Sequence, residues 1–167
     1  AILERYKKKL LSIGIRIRPN TTIGGALEIK DLFRDGYESI FIGTGVWRPK
    51  KLGIKGESLG NVHFAIDYLA NPDAYDLGDR VAVIGVGNSA MDVARTAVRL
   101  GTSEVTVIYR RSEKEMPAGK DEIIEAREEG VKLIAMASPV EFLGAEGKVT
   151  GIHLVRRKET DYGSDGR

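Results

Sequence analysis

The stretch Arg80-Val81-Ala82-Val83-Ile84-Gly85-Val86-Gly87-Asn88-Ser89-Ala90-Met91-Asp92 decides the fold. Residues 80–84 read as a strand that runs straight into a G-x-G-x-x-A turn, and the turn opens a helix that extends to about Leu100. Gly101 supplies the stop, and Glu104 to Tyr109 read as a second strand. Together these segments make a strand, helix, strand unit of ordinary length, whose two strands must lie parallel.

Within the helix, Asp92, Arg95, Thr96 and Arg99 fall at i, i+3, i+4 and i+7. Ala90, Met91, Val93, Ala94, Ala97 and Val98 fill the remaining surface, so the polar stripe is narrow and most of the helix is expected to be buried.

The glycine pattern has a chemical reading. In a dinucleotide site the first glycine permits the tight turn and the second lets backbone approach the pyrophosphate. The small third residue lets helix and strand pack closely. The helix start then offers free N–H groups and the positive end of its dipole to the phosphates. A glycine turn before a helix also arises for steric reasons alone, but here both flanking strands and the helix accompany it. Gly85, Gly87, Asn88, Ser89 and Ala90 are therefore the candidate pyrophosphate residues.

The second strand bears on which dinucleotide is bound. An Asp or Glu about 20 residues past the glycines suits the ribose hydroxyl of NAD, whereas Arg suits the 2′-phosphate of NADP. Val105 to Tyr109 ends on Arg110-Arg111, with no carboxylate at its tip. A carboxylate would repel the phosphate and a guanidinium can hold it bidentately, so the register favours NADP(H). An ordinary pair of surface charges is the plain alternative.

Working outward, Lys120 to Glu129 read as a helix closed by Gly130, and Val131 to Ala137 as a third strand. The ending from Pro139 to Glu159 carries a turn at Gly144 to Lys148 between two alternating segments and reads as a hairpin. Upstream, Ile2, Tyr6 and Leu10 recur at helical spacing ahead of Gly14. Ile13 to Ile17 read as a strand, Glu28 to Arg34 as a short helix, and Glu38 to Ile42 as a buried strand ending on Gly43-Thr44-Gly45. Trp47 to Gly60 is rich in Gly, Pro and Lys and reads as a connector; His63 to Leu69 could form one or two helical turns.

The expected architecture is α/β: a Rossmann-like dinucleotide-binding domain with a central parallel sheet and a β-hairpin or meander, preceded by part of another domain. The expected boundaries are 1–46 for that partial segment, 47–77 for a linker, 78–158 for the nucleotide domain and 159–167 for a polar tail.

Composition narrows the function. The 167 residues are 42% hydrophobic and 30% charged, as in globular proteins with a real core. Lys and Arg number 26 against 24 Asp and Glu, a net charge of +2, which does not suggest a generic nucleic-acid or membrane-surface binder. The absence of cysteine removes disulfides, iron–sulfur ligation, thiolate zinc and a thiol nucleophile from this stretch, so redox chemistry here must use a bound cofactor. His63 and His153 stand in no metal-ligand spacing. No apolar run approaches the ~20 residues that span a bilayer. The start lacks the basic head, apolar stretch and cleavage site of a leader, so the chain is read as cytoplasmic. Without an initiator Met and with a polar end, it reads as a piece of something longer.

Other chemistries weaken on inspection. No tyrosine is followed by lysine four positions on, which argues against a stand-alone carbonyl reductase. His63 and Asp67 stand four apart, but no G-x-S-x-G serine accompanies them, and the pair reads as structural. Asp92, placed in the first helical turn, reads as a complement to the helix dipole.

The run VAVIGVGNSAMDVARTAVRLGTSEVTVIYRRSEKEMPA, residues 81–118, closely resembles the NADPH-binding domain of the glutamate synthase small (beta) chain family. Related modules occur in dihydropyrimidine dehydrogenase and in the large subunit of the electron-bifurcating ferredoxin:NADP oxidoreductase. G-x-G-N-x-A-M-D, the Y-R-R strand end and the following M-P-A segment occur together here. Ile40 to Gly45 is similar to the A-T-G segment where the family's FAD domain hands over to its NADPH domain, with Gly43 in place of the usual Ala. Arg48 to Glu57 is similar to the P-R-K-L-x-I-P-G-E connector, with Lys55 where Pro is expected.

The resemblance implies the middle of such a subunit: part of the FAD domain with Gly43, Thr44 and Gly45, then the connector, then most of the NADPH domain. It implies NADPH as cofactor here and FAD in the full-length parent, where hydride passes from NADPH to flavin and electrons continue to iron–sulfur centres. The implied partner is the glutamate synthase large subunit or another electron-accepting subunit; no nucleic acid or membrane partner is expected, nor turnover by this piece alone. No catalytic side chain and no metal ligand is expected. Met116-Pro117-Ala118 either covers the adenosine end or is a structural turn. The reading from another class is a non-catalytic NADP(H)-sensing or assembly module, and a third possibility is that the turn serves FAD.

Overall fold

A computed structural model describes residues 2–45 and 47–158. The chain divides into two compact units, one ending at Gly45 and the other beginning at Val46.

The first unit holds α1 (Ile2–Ser12) and α2 (Ile29–Arg34). After α1 the amides of Gly14 and Ile15 donate to the carbonyls of Leu11 and Leu10 at 3.1 and 3.2 Å, which closes the helix where the sequence places its glycine. At the start of α2 the Glu28 amide donates to the Asp31 carboxylate at 3.0 Å. The two strands expected here, Ile13 to Ile17 and Glu38 to Ile42, do not form. A strand exists through the ladder it shares, and among the described residues this unit contains only the isolated bridge between Ile23 and Leu27. The side chains meant for a buried strand are consequently open, with Phe41 95% and Ile42 66% exposed.

The second unit contains the core. β1 (Arg80–Ile84), β2 (Glu104–Ile108) and β3 (Lys132–Ile134) form a parallel sheet in that spatial order. β1 and β2 are in register from Arg80 opposite Glu104 to Ile84 opposite Ile108. Valine alternation fixes which face is covered: Val83, Val105 and Val107 are all buried and belong to one cluster. α4 (Asn88–Arg99) packs on β1 and β2 through this face. Ala94 and Ala97 are wholly buried, because only a methyl-sized side chain lets the helix backbone settle this close to the sheet. Fully burying a valine contributes roughly 1.5–3 kcal/mol, so Val105 and Val107 are among the main anchors.

α4 stops at Gly101, whose φ of +99° is the left-handed conformation the helix end requires; the Thr102 amide donates back to the Ala97 carbonyl at 3.1 Å. α3 (Ala65–Ala70) and α5 (Lys120–Glu128) flank α4. Arg95 joins α4 to the end of α5, donating through Nε and Nη2 to Glu129 Oε1 at 3.0 and 2.8 Å, with Arg99 Nη2 on the same oxygen at 2.6 Å.

The third strand is shorter than the sequence suggests. Residues 131–137 are split, because Met136 takes a positive φ of +55° after β3 and the chain leaves the parallel sheet. β4 (Ala137–Ala145) and β5 (Lys148–Arg156) then form an antiparallel hairpin. The glycine-rich connector does not hang free of it. The Phe142 amide donates to the Lys55 carbonyl at 2.9 Å, the Gly60 amide to the Gly147 carbonyl at 2.8 Å, and Lys55 Nζ lies 2.6 Å from Glu141 Oε1. His63 precedes α3 and meets the Tyr75 ring edge-on at 4.8 Å. The polar tail expected at 159–167 lies outside the described residues. No helix among the described residues is long and apolar enough to cross a membrane.

Candidate functional site

Parallel pairing brings the candidate residues to one edge. Because Ile84 and Ile108 are register partners, the turn after β1 and the tip after β2 leave the sheet side by side. The Gly85 amide donates to the Ile108 carbonyl at 2.9 Å, extending the ladder one step into the turn.

Gly85 has a φ of +112°, which only glycine adopts without strain. Gly87 differs: its φ of −77° and ψ of 170° suit any residue, and it precedes α4 as the N-cap. A Cβ built at either position meets nothing within 4 Å, so the space above the turn is open to a ligand. Between them Val86 is 2% exposed and packs into the core, which pins the turn from below.

The start of α4 lacks a side-chain cap. The amides of Ala90 and Met91 donate to the Gly87 carbonyl at 2.9 and 3.2 Å, and those of Asn88 and Ser89 precede the first bonded turn. Helix N–H groups with the positive dipole end behind them and no carboxylate in the first turn form a donor set for an anion. Asp92 lies beyond that first turn and is exposed, so it does not complement the helix dipole in the way its sequence position suggests.

Arg110 and Arg111 are both exposed beyond β2. Among the described residues Arg110 has no ion pair, while Arg111 Nη1 lies 3.7 Å from Glu115 Oε1. The backbone beneath them is held: the Tyr109 amide donates to Ile134 at 2.8 Å, and Ala137 and Met136 donate to the carbonyls of Tyr109 and Arg111 at 2.9 and 3.1 Å. The two halves differ in kind and lie at the same sheet edge. One is an open glycine turn with free amides, the other a cationic tip on the neighbouring strand.

Met116 packs against the core and Ala118 is buried, so both ends of Met116-Pro117-Ala118 are anchored in the second unit while Pro117 is exposed. Gly43, Thr44 and Gly45 lie at the end of the first unit, all exposed, with no helix start beside them to form a phosphate cradle of their own. Among the described residues no group of three or more His, Asp or Glu is placed to hold a metal ion.

Three features of the site lie outside the dinucleotide motif. Val86 anchors the turn, Tyr109 donates its hydroxyl to the Glu115 carbonyl at 2.8 Å, and Glu115 caps the short 3-10 turn of Glu113–Glu115 by accepting from Ser112. The last was legible as the S-x-x-E pattern at residues 112–115.

Comparison with known proteins gives these features a context. The family model described as "Pyridine nucleotide-disulphide oxidoreductase" matches residues 3–165. The chain is 34% identical over 171 residues to the glutamate synthase [NADPH] small chain of Azospirillum brasilense, covering 93% of this chain and 35% of that one. It is 35% identical over 175 residues to the NADPH-Fe(3+) oxidoreductase subunit beta of Geobacter sulfurreducens, covering 99% of this chain and 26% of that one. The chain thus spans between a quarter and about a third of the length of these two relatives. Among solved structures it is similar to Mycobacterium tuberculosis FprA in complex with NADPH, with a TM-score of 0.74 at 20% identity over 98% of this chain and 52% of that one. That last likeness concerns the fold.

Proposed function

The chain belongs to the pyridine nucleotide-disulphide oxidoreductase family, and from that premise we propose that its second unit binds NADPH for a flavin-dependent oxidoreductase of the glutamate synthase small-chain type. The observation that carries this reading is the shared sheet edge: the uncapped start of α4 after Gly85-Val86-Gly87 stands next to Arg110 and Arg111 beyond β2. Gly85 and Gly87 leave room for a pyrophosphate, Asn88 and Ser89 present backbone donors to it beside the small side chain of Ala90, and the two arginines take the 2′-phosphate. A nucleotide held at its pyrophosphate and its 2′-phosphate is fixed through its adenosine half.

The chemistry supplied when both cofactors are bound is hydride transfer from nicotinamide to flavin. What this chain contributes is orientation, since face-to-face placement of two rings lowers the barrier through proximity and no side chain here has to move a proton. In this proposal residues 1–46, with Gly43, Thr44 and Gly45, form the edge of a FAD domain. Residues 47–77 are the connector, and 78–158 the NADP(H) domain. Electrons then leave through iron–sulfur centres to a partner subunit; the names "small chain" and "subunit beta" of the relatives support the partner subunit.

The test is a calorimetric titration of the intact protein with NADPH and then NADH at fixed moderate salt. NADPH-selective binding is expected. Equal binding of the two would remove Arg110 and Arg111 from the site, and binding of neither would leave the glycine turn a purely structural corner.

A further inference from the structure

The tip that carries Arg110 and Arg111 is tied down at more points than an exposed loop needs. On the side of the sheet, backbone bonds from Ile134, Met136 and Ala137 hold residues 109 and 111. On the other side everything converges on one residue. Glu115 Oε2 accepts from the Ser112 amide at 3.2 Å and from the Ser112 hydroxyl at 3.0 Å. Its carbonyl accepts the Tyr109 hydroxyl at 2.8 Å, and its Oε1 lies 3.7 Å from Arg111 Nη1. Glu115 therefore bridges the residue before the arginine pair and the residue after it.

We propose that Glu115 is a positioning residue for cofactor selectivity: by capping Ser112 it fixes the turn that presents Arg110 and Arg111 to the 2′-phosphate. The inference rests on the NADPH reading above and adds the residue that shapes the phosphate-binding tip. Two effects of Glu115 could compete, since its carboxylate also faces Arg111 and would repel an incoming phosphate. The distances decide between them. The contacts to Ser112 have hydrogen-bond lengths, whereas 3.7 Å between Oε1 and Nη1 exceeds them. That ion pair joins side chains 50% and 33% exposed, a setting in which such pairs have little effect. The turn-shaping role is the stronger one. On a loose tip both the backbone and the two cationic side chains would have to be ordered on binding; on a fixed turn the backbone part of that ordering is completed during folding. NADH has no 2′-phosphate and does not depend on the tip.

The test compares Glu115→Ala and Glu115→Gln with the unaltered intact protein by titration with NADPH and with NADH, after thermal unfolding has shown that each variant is folded. Glu115→Ala is expected to lower NADPH affinity about fivefold, the size of a typical lost cap, and to leave NADH affinity unchanged. Glu115→Gln should recover most of the loss, because its amide oxygen can still accept from Ser112. Unchanged NADPH affinity in Glu115→Ala overturns the proposal, as does an equal loss for both cofactors. A loss in Glu115→Gln as large as in Glu115→Ala also overturns it, since capping would then not be the cause. If the unaltered protein does not prefer NADPH, the reading of Arg110 and Arg111 fails first, and this inference fails with it.

Discussion

Gly85 donates its amide hydrogen to the carbonyl of Ile108 at 2.9 Å, so the glycine turn after one strand is bonded to the last residue of the next. The separation between the start of α4 and Arg110 is thereby set by the ladder itself and not by loop length.

If the arginine tip reads the 2′-phosphate, Arg110→Ala lowers NADPH affinity by roughly 1.5–3 kcal/mol, the range for a hydrogen bond to a charged group. NADH affinity stays the same. Arg111→Glu, which places a like charge beside the phosphate, should cost at least as much. Paired calorimetric titrations check both, and equal losses for the two cofactors would refute the assignment.

The two turn glycines should separate binding from folding. Gly87 has an ordinary φ of −77° and open space at its Cβ position, so Gly87→Val is expected to keep the melting temperature close to that of the unaltered protein while abolishing nucleotide binding. Gly85→Ala must hold a φ of +112° and should lose roughly 1–3 kcal/mol of stability as well. Thermal melts alongside titrations distinguish them; a Gly87→Val protein that still binds NADPH would place the pyrophosphate elsewhere.

Acid should loosen the link between α4 and the end of α5. The hydrogen bonds from Arg95 and then Arg99 hold the Glu129 carboxyl down to about 2, below its ordinary value of 4.5. A depressed carboxyl stabilises the fold fully above its unfolded value and loses that contribution as pH falls through the folded one. The loss should therefore fall between about pH 4.5 and 2, and Glu129→Gln should flatten the pH dependence of the melting temperature in that window. A slope that survives the substitution would assign the effect to other carboxylates.

Gly56 lies where the connector crosses the hairpin. A Cβ there would run into the Phe142 carbonyl, and the backbone has a φ of +83°. Gly56→Ala is expected to destabilise the second unit by at least roughly 1–3 kcal/mol, measurable by denaturant titration. A variant as stable as the parent would show that the connector can leave the hairpin without loss.

The parallel unit was legible because its signals are local. Val81, Val83, Val105 and Val107 alternate, the glycines mark the turn, and Gly101 marks the stop, so β1, α4 and β2 are found close to where the sequence places them. The strands expected at Ile13 to Ile17 and Glu38 to Ile42 failed for the opposite reason. Their apolar patterns describe what a strand would bury, but pairing depends on a partner, and the first unit offers none among its described residues. Met136 breaks the third strand by a backbone angle that hydrophobic patterning does not encode. At the site, motif spacing marks the glycine turn and the arginine pair, whereas Val86, Tyr109 and Glu115, outside that motif, pack or hydrogen-bond behind them.

The uncapped start of α4 also has a thermodynamic consequence. Ser, Thr, Asn or Asp at position 87 would close that helix end with a side-chain bond, and Gly87 forgoes it at a cost of roughly a few tenths of a kcal/mol. Whatever anion supplies the missing acceptor stabilises the folded state over the unfolded one, by about 2.7 kcal/mol at a hundredfold excess over its dissociation constant. If the proposed nucleotide is that anion, the fold's resistance to heat and to proteases becomes a function of how much nucleotide surrounds it.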